Sequence, residues 1–452
     1  MLMTMTLRTA AAALILAAVL RPAFAAEIQA LPSSAPADAE SLRKEVEALK
    51  AEVERLKRRP AAGGASADDL KDAEERIDAL EKKTKELELR QTQTTSANPL
   101  TVLNPTLTVV GNFLWRLDDK RVYNEDGDRI DDLANLREVE LDLRAAIDPY
   151  ADGVFIMSVS SEVPGDYSVD VEEFLINVKS LPVFFWEEPP LGTKVKIGRM
   201  RTEFGRNNRM HLHDLPQSDR PLVIDTFLGP DGYAANGLST TSFLPSPGET
   251  ALELTLQALQ GGGVPIAQDY HHPAYLGNLR GFVPLGDEHS FDASAIGFYG
   301  TNDPEGHAQS RVLSVDLLYR WKPMRQGEYQ SFVLGGQLFT AQHEFRPDAG
   351  GVPGPVAETF PFGYTVWAQY QLTSRLYAGA RWDEAELLTD DRARQKRATP
   401  YLSYYLSEFL RARVSYEHLW SDVAADDGRD TVMFELNAIF GSHPTEPFWV
   451  NK

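Results

Sequence analysis

Arg137-Glu138-Val139-Glu140-Leu141-Asp142-Leu143-Arg144-Ala145-Ala146-Ile147 changes character at every step. Arg137, Val139, Leu141, Leu143, Ala145 and Ile147 fall on one face, and Glu138, Glu140, Asp142, Arg144 and Ala146 on the other, because successive side chains of an extended chain point to opposite sides. This period of two predicts a strand with one wet face. The texture returns downstream. Leu252, Leu254, Leu256 and Ala258 oppose Glu253, Thr255 and Gln257; Tyr364, Val366, Ala368, Tyr370 and Leu372 oppose Thr365, Gln369 and Gln371, with Trp367 an exception. Leu410, Ala412, Val414 and Tyr416 likewise oppose Arg411, Arg413, Ser415 and Glu417.

A soluble sandwich would show the same alternation, so three further features decide the fold class. Junctions alternate between short ones, such as 148–150, 373–374 and 407–408, and long polar ones, such as 117–134 and 343–361. That is the asymmetry of an up-and-down barrel of the outer-membrane type. Counting candidate strands gives about sixteen, at 106–116, 135–147, 152–161, 168–180, 192–199, 236–244, 250–259, 275–284, 289–299, 310–321, 329–341, 362–372, 375–383, 395–406, 409–420 and 430–440. The spans 168–180, 236–244 and 275–284 are the weakest in pattern, and fourteen or eighteen are the neighbouring even counts. Finally, Trp115, Trp321, Trp382 and Trp420 lie at strand ends, with Tyr319, Tyr404 and Tyr416 nearby on apolar faces, where an interfacial girdle would put them. The expected fold is all-β: a transmembrane antiparallel β-barrel over residues 106–440.

Upstream of the barrel the chain is organised differently. Arg8, the apolar run Ala10 to Leu20 and Ala23-Phe24-Ala25 read as a signal peptide over residues 1–25. Leu42, Val46, Leu49, Val53 and Leu56, then Leu70, Ala73, Ile77, Leu80 and Leu87, repeat in steps of three and four, which predicts a helical coiled-coil region over 26–92. It is interrupted at Pro60 and Gly63-Gly64, and a linker rich in Thr, Gln, Asn and Pro spans 93–105. The 452 residues contain no cysteine, which removes disulfides, thiolate nucleophiles and iron–sulfur clusters together. The 45 Lys and Arg against 66 Asp and Glu give a net charge of -21, and nucleic acid is therefore not an expected partner.

The arrangement resembles bacterial outer-membrane porins with a short N-terminal coiled coil, most closely the phosphate-selective O and P type. The resemblance is most local at Val195-Lys196-Ile197-Gly198-Arg199-Met200-Arg201-Thr202-Glu203-Phe204-Gly205, similar to the stretch those porins carry before a long loop. By that resemblance, the loop from about Met200 to Ala235 folds into the lumen and narrows it, the chain is a homo-oligomer (a trimer), and the N-terminal region is periplasmic. The last strand ends at Phe440, and the tail 441–452 departs from the family pattern, which stops at the aromatic. Phosphate specificity does not carry over, because that family uses a lysine cluster and lysine is scarce here.

The loop carries Arg201, Arg206, Arg209 and Arg220 with Glu203 and Asp214, and guanidinium groups facing carboxylates across a constriction filter by charge. The alternative is that these residues tie the loop down. Arg375, Arg381, Arg397, Arg411 and Arg413 on late strands form a candidate basic pore wall, set against Glu138, Glu140 and Asp142 on an early one. Acidic loops are expected at Asp118 to Asp132 and Asp383 to Asp391. His211-Leu212-His213 with Asp214 could bind a metal, but such a pair arises readily by chance, so no metal or cofactor is assigned. Neither a nucleophile elbow nor a phosphate-cradling loop is present, and no enzyme is expected. The resulting expectation is a passive channel for small hydrophilic solutes or ions, with outer-membrane lipids as its surroundings. The alternatives are a structural anchor whose coiled coil binds cell wall or partner proteins, and a secreted β-sandwich adhesin.

Overall fold

The computed structural model describes residues 105–441 except 125–126, 181–188, 324–328, 348–353 and 424–427. The expected signal peptide, the coiled-coil region, the linker up to residue 104 and the tail beyond Gly441 lie outside the described residues.

The sheet contains β1 (Thr106–Asp118), β2 (Ala134–Asp148), β3 (Ala151–Ser160), β4 (Ser168–Val178), β5 (Lys194–Arg201) and β6 (Ala234–Leu244). It continues through β7 (Ala251–Gln260), β8 (Pro273–Pro284), β9 (His289–Thr301), β10 (Gln309–Trp321), β11 (Phe332–Phe345) and β12 (Ala357–Thr359). The remaining strands are β13 (Phe362–Gln371), β14 (Leu376–Leu387), β15 (Asp390–Ser407), β16 (Leu410–Ser421) and β17 (Arg429–Gly441). Each strand but β12 pairs antiparallel with its neighbours along the wall, and β1 also pairs with β17, with Val110 opposite Ile439 and Trp115 opposite Phe434. That pairing closes the barrel and leaves its wall no free edge. β12 pairs only with the end of β11, which continues its ladder with β13, so the wall itself has sixteen strands. Every span read as a strand in the sequence holds one; β12 is an addition within the long 346–361 connection.

The two faces of the wall are inverted relative to a soluble protein. Leu313 is 65% exposed, and Val169, Phe174, Leu256 and Val366 are exposed with it, whereas Asn112, Gln257, Asn278, Asp383 and Glu435 are buried. Large apolar side chains facing outward all round a closed barrel suit hydrocarbon, and polar ones facing inward suit a lumen.

Three connections break the alternation of short and long. Residues 179–193 and 322–331 make longer connections at the end otherwise marked by short turns, and β14 joins β15 through Leu388 and Thr389 alone. The expected acidic loop over 383–391 is therefore mostly hairpin, with Asp383 fully buried inside the barrel. Pairing register also shifts at five places, three beside hairpin turns and two farther along the wall. Asn112 pairs with Glu138 and Phe113 with Leu136, so Arg137 is the extra residue of a β-bulge. Ile156 pairs with Glu173 and Met157 with Val171, which makes Glu172 a second one. A bulge re-aims its extra side chain. Arg137 thus leaves the apolar face that alternation assigned to it, and its guanidinium reaches the buried Asn112 at 2.9 Å.

Candidate functional site

Between β5 and β6 the chain turns inward instead of crossing back. Phe204 initiates the turn: its ring is fully buried, 5.0 Å from Phe298 and 6.0 Å from Phe339 on the inner wall. Gly205 follows with φ of 91°, and a Cβ there would sit 2.5 Å from the Gln337 side-chain amide, so the backbone approaches the wall as only glycine can. The loop then forms α1 (Arg206–Arg209), a 3₁₀ turn at Leu212–Asp214 and α2 (Leu222–Leu228). Val223, Ile224, Phe227 and Leu228 of α2 are fully buried in one apolar cluster with Val312, Phe339 and Leu388 of the barrel. Met210 and Leu215 enter a second cluster with Trp367, Tyr377 and Tyr405. That explains the exception on β13: Trp367 faces inward because the loop covers it.

Polar side chains of the wall then hold the loop by its main chain. Arg137 donates to the Ser218 carbonyl at 2.5 Å, Arg381 to Asp219 O at 2.8 Å, Arg411 to His213 O at 2.8 Å and Arg413 to Leu215 O at 2.8 Å. Arg397 donates to Arg220 O. Each guanidinium is also neutralised. Glu435 accepts from Arg411 at 2.7 Å and Arg413 at 2.9 Å, Asp383 accepts from Arg381 at 2.8 Å and Arg397 at 3.1 Å, and Asp219 of the loop lies 2.6 Å from Arg397. On the other side of the lumen, Gln337 donates to Phe204 O at 2.6 Å, Asn278 donates to Glu203 O at 3.0 Å, and Asp316 accepts the Arg206 amide at 2.6 Å.

The residues singled out in the sequence are distributed as follows. Arg381, Arg397, Arg411 and Arg413 point inward and are spent on the loop, while Arg375 sits exposed beside the β13–β14 turn. Arg206 is paired with Asp292 at 3.4 Å and Asp316 at 3.7 Å, Arg201 is bound to Glu172, and Arg220 donates to the loop's own Asn207 and Met210 carbonyls. Arg209 keeps 27% of its side chain exposed beside Glu203, 3.4 Å away, and Lys196 keeps 40%, 3.8 Å from the same carboxylate. Asp214 lies 3.6 Å from His213. Glu138, Glu140 and Asp142 face inward on β2; Arg144 binds Asp142 at 2.8 Å, and His211 lies 2.9 Å from Glu140. β2 stands three strands from β16, separated by β1 and β17, so the acidic and basic walls flank one another. Burial alone would lower the His211 pKa, but Glu140 and Glu172 outweigh it and push the imidazole up to about 10.

The sequence reading missed Arg137, Glu172, Asp383 and Glu435. An arginine at the head of an otherwise apolar face was the available signal for the first.

No family model matches the chain. An uncharacterised protein of Aquifex aeolicus (strain VF5) is 25% identical over 351 residues, 70% of each chain. Among solved structures, OprB of Pseudomonas putida superposes with a TM-score of 0.50 at 11% identity, covering 76% of this chain and 96% of that one. The outer membrane channel DcaP of Acinetobacter baumannii gives a TM-score of 0.50 at 12% identity, covering 75% and 97%. The likeness is one of fold: a sixteen-stranded barrel of the outer-membrane type.

Proposed function

We propose that the protein is a passive diffusion channel of the bacterial outer membrane, through which small hydrophilic solutes or ions pass the inward loop Thr202–Tyr233. The observation that carries this reading is the pinning of that loop inside a closed barrel, by Arg137 and the β14–β16 arginines on one side and by Asn278, Asp316 and Gln337 on the other. A loop fixed at both sides narrows a lumen without sealing it, and charges left on its wet face bias what passes. Arg209 of the loop, and Lys196 of β5 and Arg280 of β8 beside it on the wall, are the part-exposed charges so placed; Glu203 lies between the first two and Asp292 binds the third. The wall arginines serve to hold the constriction; ion preference belongs to these others.

The resemblance to O and P porins supports a homo-oligomer, a trimer in that family, with the exported N-terminal coiled coil in the periplasm. It does not support phosphate as the solute. Purified protein in a planar bilayer, with reversal potentials taken across a salt gradient, tests the reading: discrete conductance steps with finite ion preference are expected, and folded barrels that insert without conducting would refute it.

A further inference from the structure

Folding the loop inward brings His211 between two carboxylates that are remote from it in sequence. Its Nδ1 lies 2.9 Å from Glu140 Oε2 on β2 and 3.1 Å from Glu172 Oε2 at the β4 bulge, and the donor atoms of all three side chains lie within 4.8 Å of one another. His211 is 8% exposed and Glu140 2%. Despite these distances, Nδ1 makes no aligned hydrogen bond, and Glu140 Oε2 receives none. Buried polar atoms in this condition call for an explanation.

A tetrahedral metal ion with bonds of about 2.1 Å sets neighbouring ligands about 3.4 Å apart, so the 2.9 and 3.1 Å found here would need to open by only a few tenths of an ångström. Glu138, on the same face of β2, contributes a further buried carboxylate oxygen, Oε2, without a hydrogen-bond partner. His213 stacks on His211 with ring centroids 5.8 Å apart.

We propose that Glu140, Glu172 and His211 form a binding site for a divalent transition-metal ion, Zn²⁺ foremost. One imidazole nitrogen with carboxylate oxygens suits zinc and its neighbours in the first row better than Ca²⁺ or Mg²⁺, which take oxygen alone. Arg201 binds Glu172 Oε2, the same oxygen that faces His211, and so shares that ligand with the site; among the described residues no guanidinium is hydrogen-bonded to Glu140 or His211, whereas the cluster below has one on every member. The sequence had offered His211 with His213 and Asp214; the ligands that converge on it come from two strands instead. A second cluster, Asp303, Glu305 and His307 on an outer loop, is different, because the Arg346 guanidinium sits among all three at 3.1, 3.2 and 2.9 Å. A cation already fills that one, and it serves as a control.

The test uses the metal-stripped mature chain, folded in detergent and titrated with Zn²⁺ by calorimetry, with metal content measured after dialysis. One equivalent is expected to remain bound. Glu140→Gln with His211→Gln should weaken binding by at least about tenfold, Asp303→Asn should leave it unchanged, and excess Ca²⁺ or Mg²⁺ should not compete. Heat-modifiable migration on a gel checks that each variant is a folded barrel. X-ray absorption on zinc-loaded wild type supplies a measurement that needs no variant: imidazole scattering in an otherwise oxygen shell is expected. No retained zinc, a shell without imidazole, or equal retention by the folded double variant would mean that protonated His211 is itself the cation bridging the two carboxylates, and would overturn the proposal.

Discussion

The grip of the wall on the loop can be released at one point without stranding a charge. Replacing Arg411 and Arg413 by Met together with Glu435→Gln removes the ion triad as a unit; Arg137, 4.0 Å from Glu435, loses that carboxylate but keeps its bonds to Asn112 and Ser218, which is milder than the stranded charge that makes single truncations of such pairs so damaging. The loop then loses two charge-assisted bonds, those to His213 O and Leu215 O, both 2.8 Å long. At about 1.5–3 kcal/mol each, this removes about 3–6 kcal/mol of docking free energy and multiplies the released population of the Met210–Gln217 stretch by at least about a hundredfold. Arg137, Arg381 and Arg397 still hold Ser218 to Arg220, so release should stop there. Single-channel recordings should show added open-state noise and excursions to higher conductance, and trypsin should gain access to the bond after Arg209. If the folded triple variant conducts as quietly as the wild type and resists trypsin equally, the arginines do not hold the constriction.

Four other outcomes are expected. Arg209→Ala should raise cation preference, most clearly in dilute salt where screening is weak, whereas Arg206→Ala, which leaves the buried Asp292 and Asp316 short of a partner, should mainly lower the temperature at which the barrel loses heat-modifiable migration. Gly205→Ala puts a Cβ against Gln337 at a backbone angle few other residues adopt, and should shift loop docking by about 1–3 kcal/mol, read as the same noise and proteolysis. The Arg129 guanidinium, at 2.5 Å, holds the Asp131 carboxyl well below the usual carboxylate range. A lowered folded pKa gives stability that is present above the ordinary Asp value and lost only as pH falls through the depressed one, so the Val122 amide, which donates to Asp131 at 3.1 Å, should remain protected from exchange at about pH 4 and lose protection in Asp131→Asn. Cysteine placed at Glu305 should react with an impermeant thiol reagent on intact cells and cysteine at Thr373 should not, since strand parity puts these two connections at opposite ends of the barrel.

The wall was legible because period-two alternation is repeated in most of the long strands and the loops differ so much in length. Its interruptions were not. A bulge shifts parity by one residue without altering composition, so Arg137 read as a member of the apolar face and Glu172 could not be placed beside Glu140. The three-residue β12 is too short to carry any period. The inward fold of the loop followed from the family resemblance and its arginines could be read off directly, but not what they touch. Wall arginines that bind carbonyl oxygens leave no partner residue type to recognise, and His211 meets its carboxylates only after the loop turns inward at Phe204 and Gly205. Trp367 was the exception whose meaning required the loop to be in place.

Because Arg137, Arg381, Arg397, Arg411 and Arg413 all take hold of main-chain oxygens, the His213–Arg220 segment is anchored by atoms that nearly every amino acid carries. Side chains there can be exchanged with little loss of anchorage, except Asp219, whose carboxylate also binds the wall, Leu215, which packs against Trp367, and Arg220, which ties the loop to itself. The barrel thus behaves as a socket for a replaceable insert. The wet surface of the loop is free to diverge between related channels, or to be rewritten by design, while the frame that displays it stays the same.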